Sequence, residues 1–87
     1  MAPYEVTFKP SVSKDLRGIP SAEVARILAR IEGLRAEPRP PGVEKLSAQE
    51  RYRLRQGDYR IIYSVDDAQL LVEVVKVGHR RDVYRSG

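Results

Sequence analysis

Arg51-Tyr52-Arg53-Leu54-Arg55, Gln56-Gly57-Asp58 and Tyr59-Arg60-Ile61-Ile62-Tyr63-Ser64-Val65 read as two strands and the turn that joins them. A period of two puts Arg51, Arg53 and Arg55 on one face of the first strand and Tyr52 and Leu54 on the other. Gly57 tolerates φ > 0 and Asp58 can bond its own backbone, so the chain reverses there. In the return strand Arg60 and Ile62 share a face. A second turn at Asp66-Asp67 leads into Leu70 to Val77, an almost unbroken aliphatic run that predicts a strand covered on both faces, in the middle of the sheet. After it, Gly78-His79-Arg80-Arg81-Asp82-Val83-Tyr84 reads as a charged tail.

Outward from this core, Tyr4, Val6 and Phe8 alternate with polar residues and predict a half-buried first strand, ended by Pro10. Ser11 is placed to cap a short helix from Val12 to Arg17, stopped by Gly18, and Ser21 to cap a second. That second helix carries Val24, Ile27, Leu28, Ile31 and Leu34 at helical spacing, and its pattern runs to Glu37, because Pro38 disfavours αR in the residue before it. Gly33 inside it costs on the order of 1 kcal/mol relative to Ala, which marks either a close backbone approach or chance. Glu37-Pro38-Arg39-Pro40-Pro41-Gly42 can neither continue a helix nor join a sheet interior, and serves as a stiff connector. The order strand, helix, helix, three strands predicts one α+β domain, with both helices on one face of a mostly antiparallel sheet.

Composition narrows the partners. With 16 basic and 12 acidic residues in 87, the net charge is +4, and the excess lies in the second half: eight basic against five acidic residues from Arg51 onward, eight against seven before it. Twelve of the basic residues are Arg, whose planar fork binds phosphate bidentately where Lys acts as a point charge. A solvated basic surface is common in small domains, but arginines that share a strand face rather than scattering favour a polyanion partner. Cysteine is absent, which removes disulfides and thiolate metal sites and makes a reducing cytoplasm the simplest expectation. There is no apolar run of membrane-spanning length and no signal-like start, so no membrane partner is expected.

Metal-assisted hydrolysis finds little support in one His, no Cys and a single Asp66-Asp67 pair that suits a hairpin turn better than a ligand set. RNA offers another route, since its own 2′-OH can attack the adjacent phosphate. Such a reaction needs cations around the phosphate, a group that exchanges protons and a surface for the base. Arg53, Arg55, Arg60, His79, Arg80 and Tyr84 could supply all three. Plainer roles stand beside these: Arg53 and Arg55 in surface ion pairs, Arg60 in hydrogen bonds within the fold, Tyr52, Tyr59 and Tyr63 in the core, and His79 on the surface, whereas Tyr84, in the tail, has less core to join.

The motifs Tyr52 to Arg55, Gly57 to Tyr63 and Gly78 to Tyr84, in this order and at these spacings, resemble the C-terminal half of RelE-type toxins of the RelE/ParE superfamily. The strand, two helices and Pro-rich loop before them fit as well, so the resemblance covers essentially the whole chain, residues 1–87. It implies a RelE-like fold and cleavage of messenger RNA in the ribosomal A site without metal or other cofactor. It also implies a RelB-like antitoxin as partner and a cytoplasmic location. Carried over by position, the functional basic and tyrosine residues are Arg53, Arg55, Arg60, Arg80 and Tyr84, with Lys45, Arg51, Arg81 and Arg85 as further RNA-binding cations. Where the best-known members have strand lysines this chain has Arg53 and Arg55, which do not deprotonate. His79 is the expected substitute for proton exchange, as the side-chain type that titrates near neutrality. No Glu matches the acidic base of the YoeB-like branch. Two other functions share the scaffold: a ParE-like DNA gyrase inhibitor that acts by binding a protein, and an inactive RNA-binding member.

Overall fold

Alternation, turn chemistry and helical spacing give eight elements in the structure, a computed structural model that describes residues 3–46 and 50–85, without the side chains of Tyr84 and Arg85. They are β1 (Glu5–Phe8), α1 (Pro10–Arg17), α2 (Ser21–Gly33), β2 (Glu44–Leu46), β3 (Arg51–Gln56), β4 (Tyr59–Asp66), β5 (Leu71–His79) and α3 (Arg80–Arg85). The sheet has the order β1-β5-β4-β3-β2, with β1 parallel to β5 and every other pair antiparallel. The expected α+β architecture holds, but the central strand is β4, flanked by β3 and β5 along its length. No helix among the described residues is long and apolar enough to cross a membrane.

One face of this sheet makes the core. Tyr52 and Leu54 of β3, Ile61, Tyr63 and Val65 of β4, and Val72, Val74 and Val77 of β5 pack with Val12 of α1 and with Ile27, Ile31 and Leu34 at the end of α2. Both helices therefore lie on the face opposite the β3 arginines, as the period of two predicts. β5, expected to be covered on both faces, buries only one, because Leu71, Glu73, Val75 and Lys76 stay partly accessible.

Local boundaries differ from expectation for identifiable reasons. Pro10 does end the strand, but it also opens α1 at a position where its missing N–H costs nothing, so the helix starts two residues early. Ser11 and Ser21 fall inside the helices, with Lys9 and Pro20 at the cap positions and no side-chain cap bond at either. α2 ends at Gly33, one turn before Pro38, where Leu34 enters the core. A Cβ on Gly33 would meet nothing within 4 Å, so no close backbone approach explains this glycine. β2 was not anticipated: three residues, too short for periodicity to show, pair with Arg51 to Arg53.

The Pro-rich connector is tied down on the helix side. The Tyr63 hydroxyl donates to the Pro38 carbonyl at 2.7 Å, and Tyr63 stacks on Tyr52 with ring centroids 5.7 Å apart. Arg39 then donates to the Tyr52 hydroxyl at 2.7 Å, to Glu50 at 2.8 Å and to Asp67 at 2.9 Å, while Tyr4 donates to Asp67 at 2.6 Å. Arg39 and then Lys45 hold the Glu50 carboxyl down to about 2. The Arg39 and Tyr4 bonds likewise lower Asp67.

Candidate nucleic-acid interface

Strand register arranges the free face of the sheet in rows. Arg55 of β3 lies opposite Arg60 of β4, which lies opposite Gly78 of β5; the next row is Arg53, Ile62, Lys76, and the next Arg51, Ser64, Glu73. Rows two residues apart are separated by roughly 6.7 Å. Side chains directly opposite in an antiparallel pair share a face, so the strand arginines do come together.

The first rows border an open pocket of about 660 Å³ lined by Arg30 of α2, Pro41, Gly42, Glu44, Arg53, Leu54, Arg55 and Arg60. Four guanidinium groups and one carboxylate give it a strongly cationic wall. Gly42 adopts φ 87° where the connector turns into β2, a conformation that suits glycine. Arg53 is held by Glu44, which accepts from its Nε at 3.2 Å and its Nη2 at 2.8 Å. Arg60 is only 8% exposed and donates through Nη1 to the carbonyls of Gly57 and Tyr59 at 3.1 and 3.0 Å. It therefore locks the β3–β4 turn as well as lining the pocket. Arg55 is exposed at the rim.

β5 does not keep a simple alternation. Tyr63 pairs with Val74 but Ile62 pairs with Lys76, so Val75 is an extra residue, a β-bulge. Before the bulge the core-facing residues are Val72 and Val74; after it the core takes Val77. The bulge turns Lys76 onto the arginine face and His79 away from it. His79 lies opposite Tyr59, its ring edge-on at 5.7 Å, in a second pocket of about 690 Å³ at the end of β5, shared with Asp15, Ile19, Lys76, Arg81 and Asp82. His79 thus lies on the opposite side of the sheet from Arg53 and Arg55.

His79 has a visible structural task instead. Its Nδ1 accepts the backbone N–H of Arg81 at 3.3 Å, capping α3 at its second residue. The expected charged tail is this short helix, docked by Val83, which is 5% exposed and would lie 3.2 Å from a Cβ on Gly78. An imidazolium has no lone pair for the cap, and Asn would supply an acceptor of similar reach. His79→Ala should therefore cost about 1 kcal/mol in helix stability, while His79→Asn should preserve it. Amide exchange of α3 read beside cleavage activity checks this; an Asn variant with a fixed helix and no activity would restore a proton-transfer role to the histidine.

The other candidates fall as follows. Arg80 opens α3, its N–H bonded to the Asp58 carbonyl at 2.8 Å, which puts it at the turn end of the sheet with Arg55 and Arg60. Arg81 lines the His79 pocket instead. Arg51 is exposed on the arginine face. Lys45 is not on it: opposite Tyr52 and paired with Glu50 at 3.1 Å, it belongs to the helix-side cluster. The side chains of Tyr84 and Arg85 lie outside the described residues. Arg30 and Lys76 were missed by sequence reading. Nothing in the α2 pattern marks Arg30 as facing β3, and plain alternation along β5 assigns Lys76 to the core.

Comparison with known proteins agrees with this fold. Residues 6–84 match the family described as ParE toxin of type II toxin-antitoxin system, parDE. The chain is 32% identical over 85 residues to Toxin RelG of Mycobacterium tuberculosis (strain ATCC 25618 / H37Rv), covering 95% of this chain and 98% of that protein. It superposes with a TM-score of 0.78 and 31% identity on the archaeal RelE–RelB complex from Pyrococcus horikoshii OT3, covering 90% of this chain and 96% of that one. Against the toxin-antitoxin complex RelBE2 from Mycobacterium tuberculosis the TM-score is 0.79 at 28% identity, with 90% and 99% covered. With the match running from β1 into α3, the chain belongs to the ParE toxin family of type II toxin-antitoxin systems and is a RelE-type toxin of the RelE/ParE superfamily.

Proposed function

We propose that this toxin is a ribosome-dependent mRNA endonuclease that inhibits translation by cleaving A-site messenger RNA. The observation that carries the reading is the pocket in which Arg30, Arg53, Arg55 and Arg60 converge on one space beside a solvent-open sheet face. In the reaction the 2′-oxygen attacks the neighbouring phosphorus, the bond to the 5′-oxygen breaks, and the products are a 2′,3′-cyclic phosphate and a 5′-hydroxyl. Guanidinium donors placed around the phosphate stabilise the extra charge of the phosphorane. Arg53, released from Glu44 by the incoming phosphate, and Arg55 are the first of these donors; Arg60 and Arg80 complete the cradle, and Tyr84 is assigned to the base or the leaving group. The 2′-OH proton leaves to water or a ribosomal group and the 5′-oxygen receives one in the same way, because an arginine exchanges none.

Phosphate contacts of this kind position a strand without reading its sequence, so the ribosome supplies the substrate geometry. Relatives solved as RelE–RelB complexes support a RelB-like antitoxin partner. The test is to incubate the protein with translating ribosomes and map mRNA ends. Cuts bearing 2′,3′-cyclic phosphates, on ribosomes and not on the same free mRNA, are expected. Equal cutting of free mRNA would remove the ribosome dependence. Because the matching family carries the ParE description, a supercoiling assay belongs beside it: inhibition of DNA gyrase with no mRNA cleavage would overturn the nuclease reading.

A further inference from the structure

We propose that the groove between α3 and the free face of the sheet is a second nucleotide subsite, which seats one RNA base on Ile62 and the adjoining phosphate on Lys76 and Arg51. This inference rests on the nuclease reading and extends it from the scissile phosphate to the neighbouring nucleotide. The groove, about 340 Å³, is also bordered by Lys9, Leu46 and Val75. Its position follows from the bulge: if Val75 were a regular residue of the ladder, alternation would send Lys76 into the core and leave this face one cation short. With Val75 bulged, Lys76 stands in line with Arg53 across Ile62, and Arg51 stands one row further along β3.

Neither Lys76 nor Arg51 has an ion-pair partner among the described residues, in contrast to Arg53 with Glu44 and Arg39 with Glu50 and Asp67. Between Lys76 and Arg51, Ile62 is half-buried and keeps an accessible aliphatic surface, while buried Val83 of α3 closes the groove at its end. Single-strand binders combine a cationic track for the backbone with an apolar or aromatic rest for the base. Here cations recur from row to row at a step of roughly 6.7 Å. A polymer with one charge in every unit matches that recurrence better than the irregular carboxylates of an acidic peptide. The track has an end as well, since Glu73 occupies the Arg51 row on β5.

The measurement is fluorescence anisotropy of a labelled, uncleavable 2′-O-methyl hexauridine against salt, with the full chain and with Lys76→Gln, Arg51→Gln, Ile62→Ala and, as control, Arg26→Gln, whose side chain pairs with Glu23 on α2. Each of the first two variants should lower the slope of log K against log salt by about 0.7, the value for one phosphate contact on a single strand. Ile62→Ala should weaken hexauridine binding severalfold without changing that slope, and should leave an abasic strand of the same length unaffected. Slopes equal to wild type in both cation variants would overturn the subsite while ribosome-dependent cleavage, measured separately, still stood. Binding of polyglutamate with the same dependence on Lys76 and Arg51 would assign the groove to an acidic protein segment and overturn it too, as would a wild-type chain that binds no hexauridine at low salt.

Discussion

Arg55→Ala is expected to lower ribosome-dependent cleavage roughly 100- to 1000-fold, the usual loss when one preorganised donor to a developing oxyanion is removed, without loss of fold. Arg55 is exposed at the rim of the arginine pocket and lies directly opposite Arg60. Two like charges facing each other across a strand pair destabilise the sheet, so the alanine variant should unfold at the same temperature or slightly higher. This separates function from stability in a way Arg60 cannot, because Arg60 also holds the Gly57 and Tyr59 carbonyls of the turn. Arg55→Lys keeps the charge but loses the fork and should fall between the two. Single-turnover cleavage on ribosomes decides: an alanine variant within about threefold of wild type would remove Arg55 from the cradle, since the loss of such a donor typically costs at least about 100-fold.

Tyr63→Ala should have the opposite profile, with the damage in the fold. The ring is fully buried, stacks on Tyr52, and its hydroxyl anchors the connector through Pro38. Truncating a buried aromatic costs roughly 3–5 kcal/mol. For a domain of this size that is a fall in the unfolding midpoint on the order of 20 °C. Tyr63→Phe keeps the ring and loses one hydrogen bond, about 0.5–1.5 kcal/mol. Burial raises the Tyr63 hydroxyl well above the ordinary tyrosine value, so it stays a donor to Pro38 through any working pH. Thermal unfolding of both variants checks the assignment; an alanine variant that melts within about 5 °C of wild type would mean the connector is not anchored through this residue, as such a shift matches one hydrogen bond at most.

The two variants mark how much of the site could be read from residues in order. The Arg51, Arg53, Arg55 face and the Tyr52, Leu54 face of β3 follow from the pleat alone, and the structure keeps both. The β3–β4 turn follows from Gly57, which adopts φ 58°. Ile27, Ile31 and Leu34 follow from helical spacing, and all three are in the core. These are local properties: each depends on neighbours within a few residues, and side-chain direction repeats with a fixed period in an unbroken element. What could not be read depends on pairing between segments. Lys45 faces the helix side because β2 meets β3 in a particular register.

The largest such effect is the bulge at Val75. A strand's parity is set from its first residue only while the ladder is regular, and one unpaired residue inverts every assignment beyond it. Composition, alternation and turn residues by themselves determined an α+β domain with a basic sheet face. Tertiary pairing of β5 with β4 decided that Lys76 joins that face and that His79 leaves it to cap α3, because only the partner strand's hydrogen bonds fix where the extra residue falls.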